Sequence, residues 1–85
     1  MVRVHKISTE VALEELEEQL LKKLPLGVFP VDTVYKCAPA EYDRTAVSMA
    51  LNMLIALGLV FKVHYLNYKL TYRGKIVAEH IRGGE

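Results

Sequence analysis

The stretch that decides the fold is TAVSMALNMLIALGLVFKVHYLNYKLTYRGK, Thr45 to Lys75. Its apolar positions change period twice. Val47, Ala50, Leu51 and Leu54 recur three and four apart, which places them on one stripe of an α-helix. Asp43, just upstream, carries the short acceptor that satisfies an orphan amide of a first helical turn. Gly58 stands where a helix leaves through a left-handed residue. From Val60 the period falls to two, with Phe61, Val63 and Tyr65 on one face and Val60, Lys62 and His64 on the other. Leu66-Asn67 offers a tight turn, in which Asn67 tolerates positive φ. Tyr68 and Leu70 then point inward on a returning strand, and Lys69 outward. Thr71 or Tyr72 opens a last helix with Ile76, Val77, His80 and Ile81 on its apolar side and Gly83-Gly84 past its end. A helix over 43–57, a hairpin over 60–70 and a closing helix are therefore expected.

Toward the N-terminus, STEVALEELEEQLLKKLP (Ser8 to Pro25) is the strongest helical pattern in the chain. Leu13, Leu16, Leu20 and Leu24 form one stripe, widened by Leu21 and Val11. Ser8 or Thr9 is the expected N-cap. Acids early and Lys22, Lys23 late suit the helix dipole, and Pro25 stops the helix. Between the two helices, Val28 and Phe29 suit a very short strand. Asp32 or Thr33 is then expected to cap a two-turn helix carrying Val34, Tyr35 and Cys37 and ended by Pro39. The opening VRVHKI reads as a short strand or an arm.

Composition bounds the function. With 85 residues, 52% hydrophobic and 25% charged, the chain is expected to be one globular domain over 1–85. Such a domain buries only about 60–65% of its unfolded surface, so dimerisation would add much to its stability. No apolar run reaches the roughly 18 residues of a membrane span, and MVRVHKISTE lacks a secretion-signal core. The single Cys37 excludes an intrachain disulfide, and a cytoplasmic location is expected. The net charge of +1 is unevenly spread. Residues 1–43 hold eight acids against five bases, and residues 44–85 hold six bases against two acids. A basic C-terminal half suits a polyanion, although small domains often show such asymmetry by chance.

The order helix, short helix, turn, helix, hairpin, helix resembles a winged helix-turn-helix. TAVSMALNMLIALGLV resembles the family's polar start, V-S-x-x-L-x-x-L core and L-G-L-V entry to the wing. KLTYRGK resembles the L-T-x-x-G-x element that leaves the wing and opens the last helix. The likeness spans about Val31 to Ile81 and is to the MarR/PadR-type transcriptional regulators of bacteria and archaea, at the level of the superfamily. It implies an α+β fold with a three-helix core, a two-stranded wing and a C-terminal helix. It implies double-stranded DNA as partner, probed by a homodimer. Helix 43–57 would lie in the major groove and hairpin 60–70 on the backbone. The same fold also serves protein–protein contacts, so a module without DNA binding stays open.

On that resemblance, Arg44, Thr45, Ser48, Met49 and Asn52 form the outward face of the reading helix. Arg44 can fork onto guanine or grip a phosphate, Asn52 can pair with adenine, and Met49 can pack on a thymine methyl. Thr45 and Ser48 can donate to phosphate oxygens. Lys62, His64, Lys69 and Arg73 decorate the hairpin, interleaved with Tyr65, Tyr68 and Tyr72. The plainer alternatives are solvent-facing helix positions, lysines that keep an edge hairpin soluble, and cross-strand tyrosine pairs. The sequence departs from the family at Met53, Ile55 and Ala56, where charged residues are usual. Exposed together, these would form an apolar patch, so either a second copy or the N-terminal segment covers that side of the helix or it faces a protein partner.

Enzyme chemistry finds no foothold. The chain has no Gly-rich phosphate loop, no nucleophile–base set and no metal motif, and His5, His64 and His80 show no ligand spacing with Cys37. Cys37 reads as a small buried residue, a redox sensor or an intermolecular disulfide. No catalytic residue, metal or cofactor is expected.

Overall fold

A computed structural model describes residues 13–83. In chain order they form α1 (Glu15–Lys23), β1 (Phe29–Pro30), α2 (Val31–Cys37), α3 (Arg44–Ala56), β2 (Val60–His64), β3 (Asn67–Leu70) and α4 (Tyr72–Gly83). Four helices and a three-stranded antiparallel sheet of order β1-β3-β2 make a small α+β fold among these residues. The expected two-stranded hairpin thus gains a third strand. Phe29 faces Tyr68 across β1 and β3, their rings 6.4 Å apart and nearly stacked. Burying Phe29 draws the two-residue strand onto the sheet, and its proline costs no ladder bond at this edge.

The leucine stripe of α1 is buried as Leu16, Leu20, Leu21 and Leu24, with Leu13 half-buried beside it. The helix starts at Glu15, later than the expected Ser8 or Thr9, which lie with Val11 outside the described residues. Glu14 is the N-cap, and its backbone N–H donates to Glu17 Oε1 at 3.0 Å. That bond satisfies an N-cap amide with no partner inside the helix, as the third residue of a capping box does, and Glu17 is buried there. At the other end the Arg82 Nη2 of α4 donates to the carbonyls of Leu21 and Leu24 at 2.9 and 2.8 Å. A cation there meets both the orphan carbonyls and the negative end of the helix dipole. Arg82, counted among the bases of the C-terminal half, is therefore used inside the fold.

Helix α2 begins at Val31 with Pro30 as its N-cap, two residues before the expected Asp32 and three before Thr33. Proline's fixed φ and missing N–H suit a helix entrance, and the Val31 N–H donates to Leu66 O at 2.9 Å. Helix α3 follows its pattern closely. Asp43 Oδ1 accepts from the Ala46 N–H at 2.8 Å, and Val47, Ala50, Leu51 and Leu54 are buried. Past its end, Gly58 takes φ 79°. Its N–H donates to Ile55 O, and the Leu59 N–H to Leu54 O, the paired bonds of a Schellman motif.

The hairpin departs from strict alternation. Val60 faces Leu70, Phe61 faces Lys69 and Lys62 faces Tyr68, but His64 then faces Asn67. One extra residue in β2 makes a bulge that carries His64 off the Val60/Lys62 face. The left-handed turn residue is Tyr65, φ 54°, and not Asn67. Asn67 instead opens β3 and its Nδ2 donates to His64 O at 3.3 Å, a local bond that holds the turn from one side.

Helix α4 is tied to the end of α3. Thr71 Oγ1 accepts from the Gly74 N–H at 2.9 Å and donates to Gly58 O at 2.6 Å. The Thr71 N–H donates to Leu59 O at 3.0 Å. A Cβ on Gly74 would fall on that same Leu59 carbonyl, so the glycine of TYRGK is required by a close backbone approach. Val77 and Ala78 are buried, and Ile76, His80 and Ile81 are half-buried. Gly83 belongs to the helix instead of lying past it, and Gly84 is outside the described residues.

Candidate nucleic-acid interface

The core fixes which side of α3 meets solvent. Buried Val47, Ala50, Leu51 and Leu54 leave Thr45, Met49, Asn52 and Ala56 on the opposite side, with Ser48 half-buried at its edge. At about 100° per residue, these four outward positions lie within one narrow sector. Met49 is 65% exposed, high for a thioether in a small protein. Arg44 is also exposed, but its guanidinium lies 4.0 Å above the Tyr35 ring centroid. That contact holds Arg44 at the helix entrance, on the flank toward α2, worth about 0.5–1 kcal/mol at an exposed site.

Met53, Ile55 and Ala56 do not gather on one face of α3. Ile55 packs against the core, and Met53 and Ile55 lie about 160° apart around the helix. Met53, 47% exposed, sits with Met49 in a groove of about 430 Å³ between the start of α1 and α3. Its walls include Leu16, Tyr42 and Ala46, with Glu14 and Glu15 beside them. Burial, then Glu15 and Glu41, push the Tyr42 phenol above its ordinary value. This flank of α3 is acidic and apolar.

The hairpin spreads its cations. Lys62 shares a face with Tyr68, and Lys69 shares the opposite face with Phe61, because cross-strand partners point the same way. Lys62 and Lys69 therefore do not form one row. His64 joins the Lys69 side through the bulge. The tip and outer strand expose Phe61, Val63, Tyr65 and Leu66, an apolar surface that alternation alone would have put half inside. Arg73 is exposed at the start of α4, apart from the hairpin, next to the exposed Tyr72. Arg44, Thr45, Ser48, Met49 and Asn52 are thus brought together on one short helix, whereas Lys62, His64, Lys69 and Arg73 are distributed over two faces and two elements.

Cys37 is half-buried, and its thiol donates to Lys23 O at 3.6 Å. Burial pushes this thiol up, against the opposing charge of Lys23. Among the described residues no group of three or more His, Cys, Asp or Glu gathers to hold a metal ion, and no helix is long and apolar enough to cross a membrane.

No protein-family model matches this chain, and neither the curated proteins nor the solved structures compared with it include a match.

Proposed function

We propose that this chain is a small winged-helix protein that binds double-stranded DNA, acting without catalysis as a cytoplasmic, dimeric transcriptional regulator. One observation carries the reading: the element order α1-β1-α2-α3-β2-β3-α4 with sheet order β1-β3-β2. In that arrangement an exposed second helix of a helix–turn–helix pair runs directly into a hairpin. The N-terminal residues of such a helix meet base edges in the major groove, and the hairpin lies on the backbone. Thr45, Met49 and Asn52 would face the bases, and Ser48, at the edge of that sector, would donate to a phosphate. Arg44, steadied by Tyr35, would grip a phosphate at the groove edge. Lys69 and Lys62 would reach phosphates from the two faces of the hairpin, and Arg73 from the start of α4. A homodimer would present two such helices to a two-fold site.

A salt titration of duplex binding tests the reading. With roughly 3–6 phosphates neutralised per protomer, log K falls with log salt at a slope of about −0.9 per phosphate. Lys62→Ala and Lys69→Ala each flatten that slope and leave sequence preference unchanged. Absence of duplex binding even at low salt sinks the proposal. Sedimentation that finds only monomer at micromolar concentration removes the dimer from it.

A second reading is favoured by the groove beside α1. Exposed Met49 and Met53 next to Glu14 and Glu15 suit a protein partner, with the winged helix serving as an interaction module. Capture of a protein through that groove, in a chain that binds no duplex, would select it.

A further inference from the structure

The outward face of α3 carries no charge. From Thr45 to Phe61 the chain has neither Lys nor Arg, and the one cation at the helix entrance, Arg44, is stacked on Tyr35. Guanine is read chiefly by the bidentate fork of Arg or by Lys at O6 and N7. That reader is missing from the sector formed by Thr45, Ser48, Met49 and Asn52. What the sector holds is an amide, two hydroxyls, a thioether and a threonine methyl. Asn52 has the geometry to donate to adenine N7 and accept from N6 at once. Met49 and the Thr45 methyl offer apolar contact, and thymine's C5-methyl is the apolar feature of the major groove. Met49 lies one turn before Asn52 along the same sector, so the two side chains would meet neighbouring base pairs.

We infer that the base-reading half of this interface selects A·T base pairs, with Asn52 on adenine and Met49 against a thymine methyl. This rests on the proposed DNA-binding function and names the sequence class that function would take. The acidic groove on the Met53 flank sharpens it. Phosphates are disfavoured beside Glu14 and Glu15, which leaves the Arg44 and Ser48 flank for the backbone.

The test begins with selection from a randomised duplex pool at low salt. Enrichment of A·T pairs is expected. Uracil is then placed in the selected duplex for each thymine, which removes only the methyl. Binding should weaken about fourfold for each methyl that is contacted. Met49→Ala should bind the thymine duplex about as the wild-type protein binds the uracil duplex, and should not distinguish the two. Asn52→Ala should weaken binding tenfold or more and relax the preference at one base pair. Both side chains are exposed, so neither change disturbs the core. Enrichment of G·C pairs overturns the inference. So does equal binding of thymine and uracil duplexes, with DNA binding itself left standing. Failure to bind any duplex overturns both the inference and the function beneath it.

Discussion

Replacing Gly74 with alanine should destabilise the protein, the reverse of what the substitution does in an ordinary helix. Glycine inside a helix is less favourable than alanine by about 0.8–1.0 kcal/mol, so propensity alone predicts a gain. Gly74 is buried where α4 crosses the segment leaving α3. An added methyl would meet the Leu59 carbonyl oxygen and come within 2.8 Å of its carbon. The obstacle is backbone, so no side chain can rotate out of the way. The Leu59 carbonyl also accepts the Thr71 N–H at 3.0 Å, while Thr71 Oγ1 accepts from Gly74 itself. Separating the two segments costs about 1–3 kcal/mol as overpacking, and weakening the Thr71–Leu59 bond costs about 1 kcal/mol more. After the propensity gain, the net loss is about 2 kcal/mol. In a domain of this size, with total stability on the order of 4–13 kcal/mol, that lowers Tm by about 8–16 °C. Thermal and urea denaturation followed by circular dichroism measures it. Gly27→Ala is the control, because nothing lies within 4 Å of a Cβ there, and its effect should stay within about 1 kcal/mol. A Gly74→Ala protein as stable as the parent, or more so, would refute the close approach and with it the placement of α4.

Arg82→Ala should cost about 2–3 kcal/mol. Two charge-assisted bonds to Leu21 and Leu24 are lost, partly offset by freeing the Nε atom, which is buried without a partner. Arg82→Lys should fall between, and a urea midpoint unchanged in Arg82→Ala would contradict the clamp. Cys37 should react more slowly with a disulfide reagent at pH 8 in the folded protein than in urea, because burial raises the thiol above its ordinary value. The folded thiol keeps its proton to higher pH than the unfolded one. Its contribution to stability is therefore full below the ordinary thiol value and is lost as pH rises through the raised one. Faster reaction in the folded state would contradict this placement.

Helices were readable from the chain because their signals are local. The leucine stripe of α1, the Asp43 cap, the α3 stripe and the glycine at 58 each act within one or two turns, where propensity and capping compete with little else. The outward set of Arg44, Thr45, Ser48, Met49 and Asn52 follows from that stripe by geometry alone. The start of α1 at Glu15 is less legible, because a glutamate pair, Glu14 with Glu17, caps it where a hydroxyl is usual.

Contacts between distant segments decided the rest. A two-residue strand has no periodicity to detect, and only the pairing of Phe29 with Tyr68 makes β1 part of the sheet. The bulge that turns His64 and separates Lys62 from Lys69 is a property of two strands in register. The stacking of Arg44 on Tyr35, the clamp of Arg82 on α1 and the scattering of Met53, Ile55 and Ala56 all depend on how helices pack. The sequence by itself determined the helices, their order and the residues available on the outer side of α3. Tertiary structure alone decided which cations remain free for a partner, because a long charged side chain takes whatever acceptor or ring the fold brings within its reach.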